Sequence, residues 1–337
     1  MKPTTAARCA LSTLTAALLA ACGESQPPIA PGAMPAVSAS FARAERGSWM
    51  LPEAKSEDLL YAADEKTNEV YVYAYPPGPR IGTLTGFSQP GSPCIDAKND
   101  VFVPDDGNAR IVEFAHGETK PRAILADSGE APSGCSVDPA TGDLAVANYC
   151  RPGPPSGCGA ASVSIYRAAA GLPKILHDRH FYRLNDCTYD DAGNLFVVGA
   201  HRIPFQLFEL RKDSKDFQFV KIHWTRSFRQ IKNPGGLQWV AGRLLIGQSA
   251  NEVSGPSIYL TSGASGHILR SMLPMLSSLS GIPQFWVVGK TVTVPKDRGG
   301  QPAKLLLYRY ARRAKPFDVV NDAGQILSGV TVSLAPH

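Results

Sequence analysis

A pattern typical of a short buried strand recurs six times along the chain. One position can be followed from copy to copy at Cys94, Cys135, Cys187, Leu237, Gln284 and Val330, in steps of 41, 52, 50, 47 and 46 residues. Each copy opens just after a Gly or Pro turn and is followed by further apolar runs. Four short strands repeated at a period of about 40–50 residues are the signature of a propeller blade. A blade cannot cover both of its own faces, so successive copies must stack and close into a ring. The sequence therefore predicts an all-β fold, a six-bladed β-propeller of four-stranded antiparallel blades. The 31 Gly and 28 Pro suit a chain that turns about every ten residues, and they leave little room for long helices.

The second copy is the clearest, with strands at 93–96, 101–104, 110–114 and 123–126 and turns at Lys98-Asn99 and 105–108. The run 59–64 aligns with second strands, so the first copy lacks an inner strand. Residues 329–333 alternate as an inner strand after the turn signal Asp322-Ala323-Gly324. They are expected to pair beside Leu60-Tyr61-Ala62 in blade one, closing the ring and covering edges otherwise left exposed. The run 101–111, Val-Phe-Val-Pro-Asp-Asp-Gly-Asn-Ala-Arg-Ile, resembles the NHL repeat, with looser matches over 136–166 and 195–210. That resemblance implies the propeller and no particular activity.

Lys2 and Arg8 precede an apolar stretch, 10–19, that is too short to span a bilayer, so residues 1–21 read as a signal peptide. Leu19-Ala20-Ala21-Cys22 resembles the bacterial lipobox. The resemblance implies cleavage before Cys22 and acylation of its sulfur and new amine, and several acyl chains hold a protein on a membrane where one does not. A plain secretory signal is the alternative. Cys22 is followed by Gly23 rather than Asp, so the expectation is export to the cell envelope, with the outer membrane favoured and the membrane itself as one partner. Residues 22–52, rich in Pro, Ala and Ser, read as a tether that docks through Trp49-Met50-Leu51, and 53–337 as the propeller. Residues 1–21 carry two bases and no acid, so their removal takes the formal charge from +5 to +3, too small an excess to indicate nucleic acid.

Turns joining first to second strands are short throughout, at 97–100, 139–143, 191–194, 241–243 and 289–290. Those joining second to third strands lengthen to 148–161, 200–204, 248–255 and 295–303. Binding residues sit on loops held by a rigid scaffold, which makes this face the candidate surface, with His201, Arg202 and Asn251 around its mouth. At its inner rim the second strands end in Asp64, Asp105, Asn148, Gly199, Gln248 and Lys296. Asp64, Asp105 and Asn148 are candidate ligands for a divalent cation such as calcium, which needs several oxygens converging within about 2.5 Å. The other reading has these residues bonding their own turn backbones, with no cofactor.

Arg183-Leu184-Asn185-Asp186 resembles the R-x-N-D segment of the regucalcin and gluconolactonase family. The resemblance implies substrate contacts for Arg183 and Asn185. The family's Glu at the start of its first blade has no counterpart in 330–333. Of seven cysteines, Cys9 lies in the leader, and Cys150 and Cys158 flank Pro152-Gly153-Pro154-Pro155 in one loop, where a disulfide would clamp it. Cys94, Cys135 and Cys187 share one ring level and would suit either a thiolate metal site or buried free thiols. Free thiols are expected, because neighbouring inner strands would hold their Cα atoms beyond the ~7 Å disulfide limit.

No G-x-S-x-G, H-E-x-x-H, Walker or C-x-x-C motif is present, so no catalytic residue is assigned. The sequence points to a lipid-anchored envelope propeller that binds an unknown protein or small-molecule ligand through its long-loop face. The alternative is a metal-dependent, lactonase-type hydrolase. Because acylation needs the Cys22 thiol, Cys22→Ser is expected to abolish palmitate incorporation and to move the protein from the membrane to the soluble fraction, or to leave its leader uncleaved. Wild-type protein that never takes up labelled palmitate contradicts the anchor.

Overall fold

Short β-branched runs separated by turn residues pair into small antiparallel sheets throughout the computed structural model. The structure describes residues 47–150, 152–153, 157–158, 160–200, 205–223, 231, 234–248, 257–261, 268–271, 284–298, 301–310 and 315–336. All lie in one compact unit, Glu45–His337. The signal peptide, Cys22, His201, Arg202 and Asn251 fall outside the described residues. Among the latter, helix is limited to three short 3-10 turns.

Among the described residues five sheets have four strands, one has five, and one is a two-stranded ribbon. Six four-stranded blades are expected from the repeats, and five are found; the remaining sheet is a composite. Sheet one runs Trp49–Met50, Arg80–Leu84, Glu69–Ala74, Leu59–Asp64 and Leu327–Ser333 in spatial order. Its extra strand arises because Trp49 and Met50 pair with Thr83 and Gly82 beyond the fourth strand. Its innermost strand comes from the other end of the chain, with Leu60, Tyr61 and Ala62 opposite Val332, Thr331 and Val330, the pairing that the alternation in 329–333 indicates.

The four-stranded sheets follow in chain order. Their inner strands are Cys94–Ile95, Pro132–Val137, Arg183–Tyr189, Pro234–Val240 and Trp286–Val288 in sheets two to six. Their second strands are Val101–Asp105, Leu144–Asn148, Leu195–Ala200, Arg243–Gln248 and Thr291–Arg298. In sheet six the expected loop over 295–303 is instead a strand extension. Lys296 pairs with Lys304 and Arg298 with Gln301, so the hairpin of Thr291–Arg298 and Gln301–Arg309 leaves the sheet as paired backbone.

Period-two alternation sends successive side chains to opposite faces, and each face packs against a different neighbour. Leu59 and Tyr61 join Val101, Val103 and Phe114 between sheets one and two. Leu60 and Ala62 turn the other way and meet Leu305 and Val330 between sheets six and one. Equivalent apolar layers lie between sheets two and three, three and four, four and five, and five and six. No central core exists among the described residues; stability comes from layers that each need both flanking sheets.

Near the axis the inner strands approach more closely than the spacing of the repeats suggests. Ser92 and Gly134 form a parallel bridge, and a Cβ on Gly91 would lie only 2.4 Å from the Ser133 carbonyl oxygen. Cys94 and Cys135 are therefore 5.6 Å apart at Cα and joined in a disulfide, which corrects the expectation of free thiols there. Closing a 41-residue separation contributes about 4 kcal/mol on the loop-entropy account. Cys187 stays free and buried, its Sγ donating to the Ala145 carbonyl at 3.6 Å. With two sulfurs joined, the three cysteines do not form a thiolate site.

Deleting 326–337 removes the inner strand of sheet one and with it buried Leu327, Val330 and Val332. At roughly 1.5–3 kcal/mol per buried aliphatic side chain, the loss is expected to exceed about 4 kcal/mol and to be visible in chemical denaturation. A truncated chain that unfolds at the wild-type midpoint contradicts this closure.

Candidate functional site

The second strands of sheets one, two, three and five end in polar residues whose side chains the structure buries. Asp64, Asp105 and Asn148 are each 0% exposed. Asp64 accepts N–H bonds from Lys66 at 2.9 Å and Thr67 at 3.2 Å in its own turn, and from Gln325 and Ile326 leading into the closing strand. Asp105 accepts from Ser88 N–H at 2.7 Å, Asn108 Nδ2 at 2.9 Å and the Arg110 guanidinium at 2.7 Å. Asn148 Nδ2 donates to Ser162 and Ser164, both at 2.9 Å, and those hydroxyls donate to Glu130 and Asp127 at 2.6 Å. Asp64 and Asp105 are thus engaged through their carboxylates and Asn148 through its amide nitrogen, while Asn148 Oδ1 has no hydrogen-bond partner among the described residues, and among these residues no group of three or more His, Cys, Asp or Glu is placed to hold a metal.

The residues one further along line a cavity of about 380 Å³. Glu65, Asp106 and Tyr149 follow the ends of the second strands of sheets one, two and three. Pro90-Gly91, Pro132-Ser133, Asn185, Gln284 and Leu327-Ser328, from the starts of inner strands or just before them, form the opposite wall. The cavity therefore sits near the axis on the face where second strands end, the face of the long connections.

Of the residues expected to bind, Asn185 lies in this wall, its Nδ2 donating to the Pro234 carbonyl of sheet five. Arg183 is exposed and places its guanidinium 5.5 Å from the ring centroids of Tyr149 and Tyr182. Cys150 is disulfide-bonded, and in the ribbon of Pro152–Gly153 with Gly157–Cys158, Pro152 lies opposite Cys158. Glu65, Asp106, Tyr149 and Gln284 were not singled out as site residues from the sequence. Their one signal is position, immediately after a second strand or before an inner strand.

Burial raises the pKa of Glu65, reinforced by the charges of Asp64 and Asp106. It raises that of Asp106 as well, with Asp105 adding to it. Deeper in the fold, burial lifts Asp186 to about 7 against N–H bonds from Leu237 and Cys187. Asp127 rises to about 6, chiefly through burial, with the Ser164 and Tyr166 hydroxyls acting against it.

No family model and no curated protein matches the chain. Solved structures do. A chain of a nidogen/laminin complex superposes with a TM-score of 0.64 at 12% identity, over 83% of this chain and 99% of that one. A Bacteroides caccae protein of unknown function gives 0.60 at 10% identity, over 82% and 99%. TolB from Acinetobacter baumannii gives 0.58 at 10% identity, over 84% of this chain and 68% of that one. At such identities the likeness shows the fold alone, and with the sheets above it defines an all-β propeller of small antiparallel sheets.

Asp127 and Asp186 have folded pKa values above the unfolded value near 4. The native state then holds more protons between pH 4 and about 7, so stability is highest below that window and falls as pH rises through it. Melting temperature is expected to decline from pH 4.5 to 7.5, and Asp127→Asn or Asp186→Asn to flatten the decline. Variant curves parallel to the wild type would show that these carboxyls are not its source.

Proposed function

We propose that this chain is a lipid-anchored propeller of the cell envelope that binds a ligand or protein partner through the axial cavity on its long-loop face. In this reading the composite sheet counts as the sixth blade, the run at 101–111 is an NHL-type repeat, and Cys22 carries the anchor, with the outer membrane as its site. The observation that carries the reading is the cavity itself. It is assembled from residues of five different sheets, so it exists only in the closed ring, and it opens on the face bearing the elaborated connections. Concave, mostly preformed sites with a few convergent polar groups are where ligands bind. Pairing of Cys150 with Cys158 would hold the nearest long connection in place and lower the entropy lost on binding. His201, Arg202 and Asn251 belong to the neighbouring connections of the same face.

The lactonase alternative needs Asp64, Asp105 and Asn148 as cation ligands, and the bonds that the Asp64 and Asp105 carboxylates already accept give it no support. Asn185 and Arg183 serve the binding reading equally well.

Ile326 lines the cavity and is 40% exposed, so Ile326→Trp is expected to narrow the opening at little cost in stability. A ligand found by pull-down or small-molecule screening with the wild type should lose at least tenfold in affinity to this variant. It should be indifferent to Lys98→Ala with Lys290→Ala on the short-turn face. The opposite pattern places binding on the wrong face.

A further inference from the structure

We propose that His116 is a proton-operated latch on the ring, whose imidazolium form ties the closing strand Leu327–Ser333 to sheet two, so that acid tightens the closure. The imidazole stands in the connection between the third and fourth strands of sheet two, Arg110–Phe114 and Pro121–Ala126. Its Nδ1 lies 2.6 Å from the Ser333 hydroxyl at the end of the closing strand, and its Nε2 lies 3.0 Å from the Glu57 carbonyl, just ahead of Leu59–Asp64 in sheet one. The Ser333 hydroxyl in turn donates to the Asn99 carbonyl of sheet two at 2.7 Å.

These contacts form a chain of three links with a carbonyl at each end, and a carbonyl only accepts. Three links need three hydrogens. A neutral imidazole brings one and the hydroxyl another, so one link is left with lone pairs face to face. An imidazolium brings two, and every link is made. Ser333 is 0% exposed, so solvent does not supply the missing hydrogen at its end of the chain. The 2.6 Å separation accords with a charge-assisted bond, which is shorter than a neutral one.

Burial is the largest influence on His116 and favours the neutral ring, while the Glu57 and Ala54 carbonyls and the Asp58 and Asp100 carboxylates favour the cation; on balance these lower its pKa. The Ser333 hydroxyl stands outside that balance and reverses it. A neutral ring forces this buried hydroxyl to give up one of two close partners, and an unmade bond between buried groups is costly. The other charges around the ring are engaged: Lys55 with Glu118 at 2.7 Å, Arg122 with Asp100, and Asp96 with the N–H groups of Lys98 and Asp100 in the turn that carries Asn99. Asp58 accepts the Ala335 N–H at 2.8 Å, just past the closing strand. The opposite end of that strand, Leu327-Ser328, lines the axial cavity, so the latch gives pH a route to the cavity wall.

A group that holds its proton more tightly in the latched state stabilises that state below the open-state value, about 6.5 for His, and loses the contribution as pH rises through the latched value. NMR titration of the full chain with labelled histidine reads this directly. His116 is expected to titrate above about 6.5, with both ring nitrogens protonated in the latched form. Ser333→Ala removes the competing acceptor and should bring the midpoint down to that value or below it. In native-state hydrogen exchange, corrected for intrinsic rates, closing-strand amides should open at least threefold more often at about pH 8.5 than at about pH 5.5, relative to those of sheet four. His116→Gln should remove that difference. A wild-type midpoint at or below 6.5, a midpoint that Ser333→Ala leaves unchanged, or closing-strand opening that does not vary with pH would each overturn the latch. The wild-type titration decides even where a variant fails to fold.

Discussion

The inner strand of every sheet faces the ring axis with an unpaired edge, and covering those edges is the requirement on which the rest of the structure depends. Backbone N–H and C=O groups left bare in a buried place are costly, and among the described residues parallel pairing between neighbouring sheets is limited to the Ser92–Gly134 bridge. Polar side chains of the inner strands take over that role. The Ser133 hydroxyl lies 3.0 and 3.2 Å from the carbonyls of Leu184 and Asn185. Asp186 accepts the Leu237 N–H at 2.8 Å, and Thr188 accepts that of Trp239 at 3.1 Å. Gln238 matches the amide of Val287 in both directions, at 3.0 and 2.8 Å. Ser328 bonds the Pro90 carbonyl across the closure. Sheets one and two, three and four, four and five, and five and six are thus clasped by groups that a purely apolar inner strand would not supply.

The clasps also set the distance between sheets. They draw the inner strands together until Gly329 has no room for a side chain, since a Cβ there would sit 2.4 Å from Ser92 Cα. At that separation the Cys94 and Cys135 side chains meet, and the raised pKa of Asp186 follows from its being wholly enclosed where three strands converge. Where the strands begin, Ser133 and Ser328 both clasp a neighbouring sheet and line the cavity. The site is therefore an end of the same axial array, with Asn185 belonging to both: its amide holds sheet five while its flank faces the opening.

Structural likeness to propellers in quite different settings, a nidogen/laminin complex among them, agrees with this division between frame and site. The layers between sheets need only apolar residues of period two, which unrelated sequences supply at 10–12% identity. The candidate site draws instead on the turns that follow the second strands. There, consecutive acidic residues, Asp64-Glu65 and Asp105-Asp106, put one carboxylate under the turn and the next into the cavity.

Strand order, the antiparallel sheets and the closure by 329–333 were legible in the sequence, because they depend on alternation and turn chemistry that are local along the chain. The extra strand at Trp49–Met50 and the extended hairpin of sheet six were not, because nothing local says whether a short run finds an edge to join. The Cys94–Cys135 disulfide and the meeting of Glu65, Asp106 and Gln284 in one cavity were decided by the tertiary structure alone. Repeat spacing orders residues around a ring; the distance across its axis depends on how tightly the inner strands clasp one another.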